Sequence, residues 1–160
     1  TLVVTGSASS EWSNETKRLA SFVPGIAHYN DEGFVTVSIP DLLNRLNHAV
    51  IHFSSGSATV EPSERSAVNA VLVVLRDLGH AVSQSDQRVR VDILGWADQT
   101  GSAALNLNLS RRRAEAVLAA LGGAHPRILT AVRTGTSAER IVTFRASLEA
   151  STKEPEPAQP

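Results

Sequence analysis

One short stretch of this chain carries the residue types that could do chemistry. It is Gly95-Trp96-Ala97-Asp98-Gln99-Thr100-Gly101, followed by Asn106, Ser110 and the triplet Arg111-Arg112-Arg113. Upstream of it, Val89, Val91 and Ile93 alternate with Arg90 and Asp92, the pattern of a half-covered strand. Downstream, a helix is expected to start near Asn106. A carboxylate at a strand end and a guanidinium near a helix start, joined by a short loop, can grip one zwitterionic ligand. The carboxylate would accept from an ammonium, and one of the three guanidiniums would fork onto a carboxylate. Loop amides at a helix start add neutral donors for an anion.

Other chemistries lack support. The five histidines, His28, His48, His52, His80 and His125, are scattered over different elements, so a metal site is not expected. There is no Cys, which rules out a disulfide framework and a thiolate metal site. No nucleophile elbow, P-loop or dinucleotide fingerprint occurs, and Asp92 with Asp98 has nothing to mark it as a glycosidase pair. No enzyme activity and no cofactor are expected. A net charge of −1 gives no footprint for nucleic acid. No apolar run reaches the roughly 20 residues of a membrane helix. A chain of 160 residues that begins at Thr1 and has no Met is expected to be a piece of something longer.

The surrounding elements follow from periodicity. Residues 1–48 read as a small α/β extension. It has a strand at Leu2–Thr5 and a helix from Glu11 to Phe22, capped by Ser9 or Ser10, with Trp12, Leu19 and Phe22 as apolar anchors. Strands at 26–29 and 34–38 flank a hairpin turn at Asn30-Asp31-Glu32-Gly33. A second helix starts at Ile39-Pro40-Asp41 and carries Leu42, Leu43 and Leu46. Val50-Ile51-His52-Phe53 reads as a strand, and residues 54–57 as a loop. A long helix follows, with Ser63 as cap, Val68, Val71, Leu72, Leu75 and Leu78 on its apolar face, and Gly79 as terminator. After the helix of residues 106–121, ended by Gly122-Gly123, strands are expected at 128–132 and 141–148, joined by a short loop at 135–137. From Val50 on, the order is β-α-β-α-β-β, an α/β (α+β) mixed sheet with helices on one face. Residues 150–160 are rich in Pro and Glu and read as a disordered tail.

The stretch resembles the OmpA-like C-terminal domain, the peptidoglycan-associating module of OmpA, Pal lipoproteins and MotB-type stators. Its pattern, G-H-T-D-x-x-G-x-x-x-x-N-x-x-L-S-x-x-R-A-x-x-V, is met by Gly95, Asp98, Gly101, Asn106, Leu109-Ser110, Arg113-Ala114 and Val117. The earlier I-x-F is met by Ile51 and Phe53. The resemblance covers about residues 49–149. It implies a domain that binds peptidoglycan without chemistry, in the periplasm or cell envelope of a bacterium. Asp98 and Arg113 would hold the diaminopimelate of the stem peptide. Gly56, Trp96, Thr100, Gly101, Asn106 and Ser110 would either touch ligand or support the loops, with Asn106 and Ser110 as caps. Trp96-Ala97 replaces the family's His-Thr, and Ser54 an Asp. Those departures keep a second reading open, a protein–protein interaction or oligomerisation module of an envelope assembly. Val23-Pro24-Gly25-Ile26, between a strand, a helix and a strand, resembles the BON module.

Overall fold

The computed structural model describes residues 1–8, 10–83, 85–122 and 125–150. Ser9, Gly123 and the tail at 151–160, to which the sequence assigns a cap, a helix stop and disorder, lie outside these residues.

The strand β4 (Gln87–Ala97) is the axis of the main sheet. Val89, Val91, Ile93, Gly95 and Ala97 are buried in strict alternation with partly exposed neighbours, so one face of the strand carries the core. On one side β4 pairs in parallel with β5 (Ile128–Thr136), from Val89 opposite Ile128 to Ala97 opposite Thr136. A parallel neighbour requires a crossover, and α4 (Ala103–Leu121) supplies it. On the other side β4 pairs antiparallel with β6 (Ile141–Ala150), which in turn pairs with the short β3 (Val50–His52). The strand order is β3-β6-β4-β5. Although β5 and β6 are consecutive, they are not neighbours. Their connection passes the end of β4, where Ser137 N–H donates to the Ala97 carbonyl at 3.1 Å.

Helix α3 (Arg65–Val82) and α4 cover one face of this sheet. Val68, Val71, Leu78 and Val82 from α3 and Ala114, Val117 and Leu121 from α4 form one core with Val89, Val91, Ile93, Val142 and Phe144. From Val50 onward the order is therefore β-α-β-α-β-β in a mixed sheet, as the sequence implies. Helix α2 (Ile39–Asn47), capped by the Ser38 hydroxyl, joins the same core through Leu42 and Leu46, both buried. At its end the Asn47 side chain accepts from Ala146 N–H at 2.6 Å and donates to the Ala146 carbonyl at 3.4 Å.

Several expectations are corrected. Helix α3 is entered through a 3-10 turn, Pro62–Glu64, and no side chain caps it, so Ser63 is not its N-cap. Gly79 lies within α3, where a Cβ would run into the ring of His125, and its service is close packing. Residues 30–33 do not form a hairpin. They belong to a single strand, β2 (Tyr29–Thr36), which pairs in parallel with β1 (Leu2–Ala8). One extra residue on β2 between the partners of Val3 and Thr5 makes a bulge, and Asn30 Oδ1 accepts from Glu32 N–H at 3.0 Å there. Turn-type residues were thus spent on a bulge. The intervening helix α1 (Ser10–Ala20) buries Ala20, while Trp12, Leu19 and Phe22 stay exposed. A two-stranded sheet offers too little width to cover them; Trp12 stacks on Phe34 at 5.6 Å between centroids.

Gly95 marks the closest approach of helix to sheet. A Cβ there would be driven into the backbone carbonyl of Ser110, with the Ala114 methyl next to it. Neither neighbour is a flexible side-chain end. Gly95→Ala should destabilise the domain by about 3 kcal/mol or more. A denaturant titration checks this, and an unchanged midpoint would mean that α4 can shift outward freely.

Candidate functional site

The end of β4 delivers the loop 98–102, and Ser102 stops it. The Ser102 hydroxyl accepts from Leu105 N–H at 3.3 Å, capping α4. The helix therefore begins a turn earlier than its apolar pattern suggests. Asn106 and Ser110, expected as caps, are buried in its interior. Asn106 lies under Gly101, whose φ of +99° turns the loop, and Ser110 Oγ donates to the Leu107 carbonyl at 2.9 Å. The signal for Ser102 was present in the sequence, a serine three residues before an apolar position.

Arg113 follows Ser110 by one turn and points to the same side of α4. It is the largest fully buried side chain of the described residues, with 0% exposure. Its Nε donates to the Ser57 carbonyl at 2.8 Å, Nη1 to the Trp96 carbonyl at 2.8 Å and Nη2 to the Ser54 carbonyl at 3.1 Å. The guanidinium also lies over the Phe53 ring, 5.5 Å from its centroid. Of the five N–H bonds of a guanidinium, the three so engaged leave one on each Nη. Arg113 thus ties the end of β4 to the loop after β3. Gly56, with φ +66°, lets that loop turn so that the carbonyls on either side of it face the arginine. Burial pushes the Arg113 pKa down, Asp98 opposes that, and Arg140 adds to it.

Asp98 stands at the rim, its side chain 21% exposed. Thr100 Oγ1 donates to Asp98 Oδ1 at 2.6 Å, and Arg140 Nη1 lies 3.5 Å from Oδ2. The Thr100 bond holds the carboxyl below the usual aspartate range; partial desolvation pulls it up, and the charge of Arg140 pulls it down again. Asp98 and Arg113 are brought to one site, as expected, but no direct bond joins them among the described residues. Arg140 also faces a second feature. It lines a cleft of about 490 Å³ with Val50, His52, Phe53, Ala138, Glu139 and Ile141. The sequence reading passed over Arg140, which is distant from Asp98 along the chain and reaches it only through the pairing of β4 with β6.

Trp96 sits on the sheet face opposite α4. Its indole N–H donates to Thr143 Oγ1 at 2.8 Å and its ring fills the space above Gly135. That placement makes it a support across β4, β5 and β6. Arg111 and Arg112 are exposed on α4. Among the described residues no group of three His, Asp or Glu is placed to hold a metal, and no helix is long and apolar enough to cross a membrane.

A mixed β-α-β-α-β-β sheet with its crossover helices on one face, and an acid-bearing loop backed by a buried arginine, defines an OmpA-like domain. Residues 52–151 match the OmpA family, and the chain belongs to it. It is 32% identical over 80 residues to the probable lipoprotein YiaD of Escherichia coli (strain K12), a match that covers 50% of this chain and 32% of that protein. The chain thus spans about a third of the length of that curated relative. Among solved structures it is similar to the peptidoglycan-associated lipoprotein from Burkholderia pseudomallei, at 21% identity and a TM-score of 0.47 over 67% of this chain and 100% of that one. It is also similar to the OmpA-like domain of FopA1 from Francisella tularensis subsp. tularensis SCHU S4, at 19% identity and a TM-score of 0.45 over 63% and 71%.

The geometry separates the two charged residues by their energetic roles. Arg113→Ala would leave three carbonyls without their donor, a loss on the order of 3 kcal/mol or more. Thermal unfolding should show it as a clear drop in Tm, and Arg113→Lys should recover only part, because an ammonium lacks the fork. Asp98→Asn should barely move Tm. A carbon-detected titration of the Asp98 carboxyl should give a midpoint below about 3.9, the ordinary aspartate value. A carboxylate lowered in the folded chain contributes stability at neutral pH and loses it as pH falls through that midpoint. A midpoint at or above the ordinary value would contradict the Thr100 contact.

Proposed function

We propose that this domain attaches a larger envelope protein non-covalently to peptidoglycan, by holding the diaminopimelate of the stem peptide. The observation that carries this reading is Asp98. It is a partly exposed carboxylate with a lowered pKa, held by Thr100, with Arg140 beside it and the buried charge of Arg113 near enough to act on it. An ammonium group fits that carboxylate, and a carboxylate on the same carbon would meet a positive field. Diaminopimelate presents both at one terminus. Arg113 supplies its charge from the buried side and ties the loop after β3 to the end of β4, next to Asp98. Thr100 and Gly101 set the carboxylate's direction. The domain binds wall material and performs no reaction on it.

Membership of the OmpA family supports this reading. So does the name of the Burkholderia relative, a peptidoglycan-associated lipoprotein. The lipoprotein relative in Escherichia coli suits a bacterial cell-envelope location, in the periplasm. A second reading, an interaction module for other envelope proteins, is favoured by one feature. Val3, Trp12, Leu19, Phe22, Val23 and Val35, all in the N-terminal unit, are exposed.

Sedimentation with purified sacculi tests the first reading. Asp98→Ala should lose binding by roughly tenfold or more, the scale of one charge-assisted contact, with an unchanged amide spectrum. If that variant pellets like the parent chain, the site is misassigned. If the parent chain itself stays in solution and a stoichiometric protein partner is found, the interaction reading replaces it.

A further inference from the structure

We propose that the face of the main sheet turned away from the helices docks on an anionic phospholipid surface. This face lies apart from the Asp98 loop, and the inference does not depend on wall binding.

Strand pairing gathers one set of charged side chains there. Along β4 they are Arg88, Arg90 and Asp92, in alternation with the buried Val89 and Val91. On β6, Glu149 is the register partner of Arg88, and Arg145 that of Asp92. On β5, Arg133 sits beside Leu94. None of these six charged residues is buried. Four arginines thus share a surface three strands wide with two carboxylates. The excess is two positive charges, on a chain whose net charge is −1.

The two carboxylates do not use up the arginines. Asp92 lies 3.4 Å from Arg90 Nε and 3.7 Å from Arg133 Nε, and Glu149 lies 3.4 Å from Arg90 Nη1. Both acids therefore engage Arg90, at distances beyond a good hydrogen bond. Arg88 and Arg145 form no ion pair among the described residues. Partly exposed pairs of this kind contribute little and exchange readily for another anion. Asp92, with 16% of its side chain exposed, acts as a post that holds two guanidiniums apart across the face.

The chemistry and shape of the face select the partner. A guanidinium forks onto phosphate oxygens through two parallel N–H bonds. The exposed Leu129 is the neighbour of Arg90 on this face, and the partly exposed Leu94 that of Arg133, so aliphatic carbons lie between the cations. Arginines whose stems run along such carbons, with the charge outward, suit the boundary between water and acyl chains. A sheet face meets a plane of headgroups at several points together. Each basic residue near an anionic leaflet adds an attraction that salt screens.

Co-sedimentation of the full chain with lipid vesicles tests this. The chain should pellet with phosphatidylglycerol vesicles, stay in solution with phosphatidylcholine vesicles, and be released as salt is raised. Arg145→Gln removes a cation that holds no carboxylate, so Tm should not move. Its affinity for the anionic vesicles should fall about fivefold, the scale of one basic residue at an anionic leaflet. Arg111→Gln, on exposed α4, should bind like the parent chain. The inference is overturned if the parent chain ignores anionic vesicles. It is equally overturned if Arg145→Gln binds them as the parent does, or if Arg111→Gln loses as much, which would make the attraction a diffuse effect of charge. Soluble polyphosphate or polyglutamate that binds as tightly per charge as the vesicles would assign the face to a free polyanion or an acidic protein instead, and overturn it too.

Discussion

A guanidinium buried without a carboxylate in contact among the described residues is the constraint on which the Asp98 end of this domain depends. Removing a charge from water is expensive unless neutral acceptors replace the lost hydration. Arg113 obtains them from three backbone carbonyls, two on the loop after β3 and one, that of Trp96, near the end of β4. The loop has no sheet or helix of its own, and the arginine on α4 ties it to the sheet. The region around Asp98 is in this sense built outward from a single side chain in the core.

The same helix is seated by a contact of a different kind. Ser110, one turn before Arg113, presses its backbone carbonyl against Gly95, which has no side chain to hold it off. Gly95 lies two residues before Ala97 and three before Asp98, so the depth of α4 and the height of the acidic loop are set at nearly the same point of β4. Helix seating and loop placement are mechanically one event.

Much of this was legible in the residues. Strict alternation from Val89 onward specified β4, and the apolar spacing of Val68, Val71 and Leu78 specified α3, because each pattern has one geometric solution. Asp98 and Arg113 were singled out by their match to the spacing of the OmpA-like pattern. What spacing could not convey was the direction of Arg113. Its partners are backbone carbonyls, which every residue carries, so no residue type advertises them. Arg140 was hidden for a similar reason: it approaches Asp98 from a strand far along the chain, and only the order β3-β6-β4-β5 brings them together. The N-terminal unit was misread where local chemistry is ambiguous. Asn30-Asp31-Glu32-Gly33 suits a tight turn and a bulge alike, and pairing with β1 decided between them.

The Asn47 amide, finally, works as a strand one residue long. Beyond β3 the outer edge of β6 would offer open backbone groups to any extended chain that drifted past. Asn47 fills one rung of that ladder with a side chain, both accepting and donating as a true neighbour would. A foreign strand finds its docking position taken, so the sheet is terminated at this border. Such a stop keeps this edge from adding a second copy of the domain as a further strand.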